Sequence, residues 1–193
     1  MKWSDSLAIQ LKSLSKVLID SEVSGQIDSV IEMLKKARGI IYFTGIGKNM
    51  YTAARVSDTF QSLGFRSMFV DAVNIFHGGM GIFSKDDVLV AISKSGETEE
   101  LLRLITLLKK RDFENILAIT SNNESSLRKL ARTAVVIPIE NEGDHLGLAP
   151  IASTLIYGAV LDSIAVQISS ERVFSREDFV FNHPGGALGR SKV

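Results

Sequence analysis

The chain has 193 residues, of which 45% are hydrophobic and 23% are charged, so it is long and apolar enough to fold around its own core. The absence of cysteine excludes a disulfide framework, a thiolate metal site and a cysteine nucleophile. The 22 basic and 22 acidic residues balance, which argues against a protein dedicated to binding nucleic acid.

The first 38 residues contain two predicted helices. Apolar residues recur there at spacings of three and four, and the two helices are expected to meet near residues 21–24. No uninterrupted apolar run follows the first few residues, so the sequence predicts a cytoplasmic protein without a secretory signal.

From residue 39 onward, short apolar runs alternate with helical patterns. Runs that are apolar throughout are typical of strands buried on both faces. Right-handed crossovers between such strands give an α/β fold, a three-layer αβα sandwich with a five-stranded parallel sheet of the Rossmann-like or flavodoxin-like kind. The strands are expected at residues 39–44, 67–70, 88–92, 116–120 and 134–138, and the helices at about 48–63, 97–110, 125–131, 150–169 and 175–181.

The longest apolar stretch, residues 146–168, contains Asp162. A charged residue inside a membrane span is costly without a partner, so we predict a buried core helix and no membrane association. Pro150 is expected in the first turn of this helix.

In an open parallel sheet, ligands bind beyond the carboxyl ends of the strands, so the loops after the strands form the candidate site. After the first strand, Gly45 and Gly47 let backbone amides approach an anion, and Lys48 adds a positive charge. The spacing fits neither a Walker loop nor a dinucleotide fingerprint. This loop alone indicates an anion site no more strongly than an ordinary strand–helix turn.

A second loop carries hydroxyl groups on both sides of a glycine, directly before a helix: Ser93, Ser95 and Thr98 flank Gly96. Several short donors with helix amides behind them suit a phosphate monoester. The alternative is a plain N-cap, in which Ser95 or Thr98 caps the helix and the following glutamates face its dipole.

The glycine-rich loop before the last long helix carries Glu142. This carboxylate is either a group at the mouth of the site or a solvated loop acid. His77 and His183 also lie in glycine-rich segments, where a lone histidine is more often structural. Residues 183–189 lack the charges of a solvated tail, so we expect them to dock on a surface such as a neighbouring subunit. His145 is expected to have no role.

In type and order, these residues resemble the sugar isomerase (SIS) domain of bacterial arabinose-5-phosphate isomerases. The resemblance covers residues 10–190, and its last two motifs are the ones more specific to this group. It implies an aldose–ketose isomerase that interconverts D-ribulose 5-phosphate and D-arabinose 5-phosphate for synthesis of the sugar acid Kdo, needed for lipopolysaccharide or capsule. It also implies a homotetramer without metal or organic cofactor. The motifs are Gly45-Ile46-Gly47-Lys48, His77-Gly78, Ser93-Lys94-Ser95-Gly96-Glu97, residues 146–154, and His183-Pro184-Gly185-Gly186-Ala187-Leu188-Gly189.

The resemblance also assigns individual residues. The family's catalytic groups correspond to Lys48, Glu100, Glu142 and His183. Its substrate-binding positions correspond to Gly45, Gly47, Asn49, His77, Ser93, Ser95, Gly96 and Thr98.

The chain departs from the family pattern within these motifs. Asn49, Met50, Phe76, Gly79 and Lys94 stand where the family has serine, glycine, serine, aspartate and asparagine. Most members continue into a pair of cystathionine-β-synthase (CBS) domains, whereas this sequence stops at residue 193. We therefore expect a single SIS domain over residues 1–193, with N-terminal helices in 1–38, the α/β core in 39–193 and no CBS domains.

The implied chemistry is proton transfer through a cis-enediol, which needs no electron sink. Either Glu142 or His183 is the base for the carbon-bound proton. Lys48 would stabilise the enediolate oxygen, and Glu100 would position Lys48 or a sugar hydroxyl. The three histidines show no ligand spacing, so no metal site is predicted. Two other functions stay open: a non-catalytic sensor of sugar phosphates, and an SIS isomerase for another phosphosugar.

Overall fold

The computed structural model describes residues 1–185, so residues 186–190 of the terminal motif lie outside the described residues. Within residues 1–185, two helices precede five strands that alternate with further helices. The helices are α1 (Trp3–Ile19), α2 (Ser21–Lys35), α3 (Lys48–Ser62), α4 (Glu99–Lys109), α5 (Ser126–Leu130), α6 (Ala152–Ser170) and α7 (Arg176–Asn182). The strands are β1 (Ile41–Gly45), β2 (Ser67–Phe69), β3 (Val88–Ile92), β4 (Ile116–Thr120) and β5 (Thr133–Val136).

The five strands form one parallel sheet in the order β2-β1-β3-β4-β5. Every residue of β1, β3 and β4 is buried, because helices cover both faces of the sheet. The register aligns the carboxyl ends of the strands, since Gly45 pairs with Ile92 and Ile92 pairs with Ile119. The loops after these strands therefore open at one edge of the sheet.

Alternate strand residues feed two hydrophobic cores, one on each face of the sheet. On one face, Phe43 of β1 packs with residues of α2, α3 and α6, including Phe60 and Tyr157. On the other face, the neighbouring Tyr42 packs with residues of α4 and α5, including Leu104. This arrangement confirms the predicted three-layer sandwich with a five-stranded parallel sheet.

The boundaries of the elements in the α/β core agree with the predicted ones to within two residues, but two details differ. Pro150 precedes the N-cap residue Ile151 of α6 and does not lie in the first turn. The helix begins later because the carboxylate of Glu142 accepts the amides of Ile151 and Ser153 there. Two short 3-10 helices, Asn74–Phe76 and Gly79–Ile82, follow β2 where the sequence analysis predicts no element.

Helix α6 has the length and composition of a membrane span, yet it lies in the core. Of its most apolar 18-residue window, 61% is buried inside the fold. It packs against α1, α2 and α3, as the prediction of a core helix requires.

Helix α1 packs on α6 with one side and exposes apolar residues on another. Spacings of four, four and seven residues place Trp3, Leu7, Leu11 and Leu18 along a single stripe of the helix. All four side chains are exposed, and that of Trp3 is 80% exposed. We call these four residues the α1 stripe.

Candidate functional site

The candidate site lies at the carboxyl edge of the sheet, between the loops that follow β1 and β3. The strand order reverses here: β1 continues into α3 on one face, and β3 continues into α4 on the other. Diverging loops leave a crevice at such a switch point, which is where ligands bind in open α/β sheets.

The loop after β1 brings backbone and Lys48 to one wall of the crevice. Gly47 is the N-cap of α3 and has a φ of 60°, a conformation that favours glycine. Gly45 is needed for another reason, because a Cβ atom there would lie 2.9 Å from Asn49. Lys48 follows as the first residue of α3 and is exposed. Among the described residues its ammonium has no ion-pair partner, so it is available to a ligand.

The loop after β3 holds its hydroxyl groups in an internal network. The buried Ser93 Oγ accepts a hydrogen bond from the Gly96 N–H at 3.1 Å and shares another with Thr98 Oγ1 at 2.9 Å. Gly96 has a φ of 69°, and a Cβ atom there would overlap the side chain of Ser125. Ser95 is exposed, and its Oγ accepts the Glu97 N–H at 3.2 Å. The tight turn therefore positions both serine hydroxyls before the start of α4.

The alternative reading of this loop as a plain N-cap does not describe its geometry. Thr98 occupies the N-cap position of α4, but its side chain bonds to Ser93 and caps no helix amide. Glu97 serves a different helix, since its Oε1 accepts the Ser126 N–H at 2.8 Å. This hydrogen bond lowers the pKa of Glu97. The first amides of α4 are left without a side-chain cap and face the crevice end of the helix.

Glu142 is a buried carboxylate with a partner on each oxygen. Its side chain is 1% exposed, and Oε2 accepts the N–H groups of Ile151 at 2.9 Å and Ser153 at 3.0 Å. Oε1 lies 2.6 Å from the Nζ of Lys94. Burial acts to raise the pKa of Glu142, but Lys94 and the two amides outweigh it and hold the pKa below its ordinary value. Glu142 is thus a buried and paired carboxylate, not a solvated loop acid.

The sequence analysis missed Lys94 as a functional candidate and noted it only as a departure from the family pattern. Its signal was a cation between two serines of an anion-binding type of loop, at the sheet edge that also receives the Glu142 loop. Because the strand ends are aligned, the two loops approach each other and their opposite charges pair.

Three further polar atoms at this edge are buried without a hydrogen-bond partner among the described residues. They are Thr44 Oγ1 at the end of β1, Asn49 Oδ1 in the first turn of α3 and Ser153 Oγ in the first turn of α6. Buried polar atoms are normally satisfied, so a ligand with hydroxyl groups is a natural partner for them.

Glu100 and His77 are both exposed. Glu100 is the second residue of α4, and His77 follows the first 3-10 helix, before Gly78 with a φ of 103°. Within residues 1–185, the structure forms no ion pair between Glu100 and Lys48. The predicted positioning of Lys48 by Glu100 therefore stays a prediction.

His183 is the predicted site residue that the single chain does not bring to the crevice. Its Nε2 lies 3.2 Å from Ser62 Oγ and its ring stacks on Phe179 at 4.2 Å. Ser62 ends α3, whereas Lys48 begins it, and 14 residues of helix span about 21 Å. His183 therefore lies near the far end of α3.

Three kinds of group therefore lie at this edge of the sheet. The Ser93–Thr98 turn has the form of an anion site, Glu142 is an ionised carboxylate, and Lys48 is an exposed cation. These groups suit proton transfer on a phosphorylated ligand. In the part of the chain that the structure describes, no three side chains of histidine, cysteine, aspartate or glutamate come close enough to hold a metal ion.

Comparisons with known proteins agree on one family. The SIS domain model matches residues 33–167. The chain is 38% identical over 181 residues to the arabinose 5-phosphate isomerase KpsF of Escherichia coli O6:H1 strain CFT073, covering 93% of this chain and 54% of the relative. It is 37% identical over 159 residues to the arabinose 5-phosphate isomerase KdsD of Pseudomonas aeruginosa PAO1, covering 82% and 48%. The chain thus spans about half the length of the curated relatives it matches.

A solved structure resembles almost the whole chain. The protein c3406 of E. coli CFT073, in complex with arabinose 5-phosphate, superposes with a TM-score of 0.88 and 36% sequence identity. The superposition covers 94% of this chain and 95% of that chain.

Proposed function

The chain belongs to the SIS domain family, and we propose that it is an aldose–ketose isomerase that interconverts D-ribulose 5-phosphate and D-arabinose 5-phosphate. One observation carries the proposal: the Ser93–Thr98 turn and the ionised Glu142 meet at one crevice through Lys94. This pairs a phosphate-binding type of loop with a candidate base. The similarity to KpsF and to the structure bound to arabinose 5-phosphate supports the choice of substrate.

The substrate phosphate binds at the turn formed by Ser93, Ser95, Gly96 and Thr98. The uncapped amides at the start of α4 and the exposed Ser95 hydroxyl supply donors to its oxygens. Ser93 and Thr98 hold the turn in shape, so little ordering is left to occur on binding.

The reaction moves one proton between carbons and one between oxygens. A base removes the proton from C2 of arabinose 5-phosphate, giving a cis-enediolate with its negative charge on O1. The O2 proton moves to O1 through the enediol, and the base returns its proton to C1, which leaves the C2 carbonyl of ribulose 5-phosphate. Glu142 and His183 are the two candidates for the base. Lys48 stabilises negative charge on the enediolate oxygen, and the unpartnered atoms of Thr44, Asn49 and Ser153 take sugar hydroxyls.

The site is completed by His183 of a second subunit in a homo-oligomer, which we take to be a tetramer. Two observations support this. His183 of the same chain lies at the far end of α3, and the α1 stripe exposes contiguous apolar surface of the kind that protein interfaces cover. A Cβ atom added to Gly143, beside Glu142, would lie 3.2 Å from the carbonyl oxygen of Ser6 in α1, so a subunit docked on the stripe lies next to the Glu142 loop.

The enzyme acts in the cytoplasm and supplies arabinose 5-phosphate for Kdo. The balanced charge of the chain and the burial of its most apolar helix support a globular protein of that compartment.

Incubation with C1-labelled ribulose 5-phosphate, followed by carbon NMR, tests the activity. Arabinose 5-phosphate is the expected product, and in heavy water the product carries deuterium at C2. A hexulose 6-phosphate incubated in parallel tests the rival isomerase. Thermal stabilisation by arabinose 5-phosphate without any turnover would indicate a sensor and overturn the proposal.

Mixed oligomers test the shared site. His183→Ala and Glu142→Gln chains, co-expressed with different tags and purified through both, are each inactive alone. In a randomly mixed tetramer with two-chain sites, both groups are intact in about a quarter to a third of the sites, so about that fraction of the wild-type activity returns. Verified mixed oligomers without recovered activity would assign both groups to one subunit.

The oligomer itself is tested by light scattering of Leu7→Glu and Leu11→Glu variants. A buried, unpaired glutamate disrupts an interface, so both variants should have a lower mass than the wild type. Lys12→Glu, on a different side of the same helix, is the control and should keep the wild-type mass. Unchanged masses for all three would show that the α1 stripe is not an interface.

A further inference from the structure

Two loops that are distant in sequence are joined by a single ion pair at the candidate site. Lys94 comes from the loop after β3 and Glu142 from the loop after β5, and their charged atoms lie 2.6 Å apart. Glu142 is almost fully buried, whereas the Lys94 side chain is 36% exposed.

We propose that Lys94 is a positioning residue that fixes the Glu142 carboxylate in its ionised form at the crevice and so allows the isomerase to work in mildly acidic solution. The inference rests on the proposed function for its catalytic consequence, but the ion pair itself can be tested without it.

The backbone of Lys94 is held in place, which gives its side chain a fixed origin. The carbonyl oxygen of Lys94 accepts the Ser121 N–H at 3.0 Å and the Thr120 hydroxyl at 3.1 Å. Because its neighbours Ser93 and Ser95 belong to the hydroxyl turn, Lys94 ties the Glu142 loop to the phosphate-binding loop. A phosphate at the turn and the carboxylate of Glu142 are therefore held at a constant separation.

The surroundings of Glu142 make its charge depend on Lys94. A buried carboxylate without a partner is strongly destabilised, and burial is the largest single influence on the pKa of Glu142, acting to raise it. Lys94 is the first of the opposing influences, followed by the amide and hydroxyl of Ser153 and the amide of Ile151. Without Lys94, these uncharged groups alone must offset burial.

The other charged groups around Glu142 do not substitute for Lys94. Tyr157 of α6 is the other ionisable group coupled to it, and burial raises the pKa of this phenol, so it is neutral near pH 7. On the Glu142 loop itself, Asp144 accepts amides of that loop and His145 is exposed. Among the described residues, Lys94 is the cation that contacts the carboxylate.

The dependence of kcat/KM on pH tests the catalytic consequence. In Lys94→Met, the pKa of Glu142 rises. The acid limb of the profile, where kcat/KM falls as the pH is lowered, should therefore shift to higher pH by about one unit or more. Lys94→Arg keeps the charge and should keep the limb near its wild-type position. Lys85→Met removes an exposed lysine that pairs with Asp112 at 3.1 Å and should leave the profile unchanged.

Two kinetic results would overturn the inference. An acid limb that does not move in Lys94→Met means that the Lys94–Glu142 pair does not set the pH dependence of the reaction. A raised KM with an unmoved limb means that Lys94 binds the substrate phosphate directly.

Urea unfolding at different pH values tests the ion pair without any substrate. The depressed pKa of Glu142 gives stability that is present above the unfolded-state pKa and is lost as the pH falls through the folded-state pKa. The difference in unfolding midpoint between wild type and Lys94→Met should thus be large at pH 7 and shrink towards pH 4. In a Glu142→Gln background, Lys94→Met should show no such pH dependence. A pH-independent difference, or one that persists in that background, would overturn the inference, whether or not the protein isomerises pentose phosphates.

Discussion

The candidate residues around the crevice form two groups that differ in how completely their side chains are held before any ligand arrives. We call Ser93, Lys94, Thr98 and Glu142 the fixed side, because each is bonded to protein groups. We call Lys48, His77 and Glu100 the open side, because each is exposed.

Glu142 and Glu100 can be compared directly, because both are carboxylates with a predicted catalytic role. Glu142 has a partner on each oxygen, whereas Glu100 has no ion pair within the described residues. A group that is held in advance needs no reorganisation during the reaction, and this is how enzymes stabilise charge efficiently. A group without protein partners is free to follow the substrate. We therefore expect Glu142 to support both the fold and the proposed chemistry, and Glu100 to support the proposed chemistry alone.

The largest expected effect is that of Glu142→Ala on stability. It leaves the Lys94 ammonium and two helix amides unpaired, which costs about 3 kcal/mol of unfolding free energy at pH 7. Glu142→Gln can still accept the two amides through its Oε1, so it should lose clearly less. Glu100→Ala should change the unfolding free energy by less than about 0.5 kcal/mol. Urea denaturation of the three variants measures these differences, and equal losses for Glu142→Ala and Glu100→Ala would remove the distinction between the two sides.

A smaller effect is expected from Glu100→Gln, and it should appear in activity only. If Glu100 positions Lys48 or a sugar hydroxyl, kcat should fall at least about tenfold, because small misplacements of catalytic groups are costly. The melting temperature should match that of the wild type. Steady-state kinetics and thermal unfolding of the same preparation provide the measurement. A lowered melting temperature would mean that Glu100 supports the fold.

The smallest effect on activity is expected from Ser95→Ala. Ser95 shares features of both groups, because it is exposed but belongs to the same turn as Ser93 and Thr98. Among the described residues its hydroxyl bonds only to a backbone amide of its own loop, so stability should not change. Phosphate binding is shared by ground and transition states, so KM should rise severalfold while kcat stays near the wild-type value. Ser93→Ala is the matched control from the fixed side and should also lower stability, because Ser93 shapes the turn. An unchanged KM in Ser95→Ala would contradict phosphate binding at this turn.

The elements of the fold are predictable from the sequence because their signals are local. The apolar runs of β3 and β4 give their boundaries directly, and Gly96 before a helix marks a special turn. Contacts between distant loops are not local, so the ion pair of Lys94 with Glu142 is found only in three dimensions. The exposure of Leu7 and Leu11 is equally hidden, since a helical apolar pattern does not say which neighbour covers it.

The attachment of the Lys94 carbonyl to Thr120 and Ser121 has a consequence for hydrogen exchange. These two residues lie at the end of β4, a central strand that is buried along its whole length. Amides of such strands exchange only when the whole molecule unfolds, whereas exposed loops open independently. The amides of Ser121 and Gly96, although outside any strand, should therefore exchange as slowly as the sheet. The turn proposed to bind phosphate would then belong to the slowest-exchanging unit of the protein and keep its shape through partial openings of the peripheral helices.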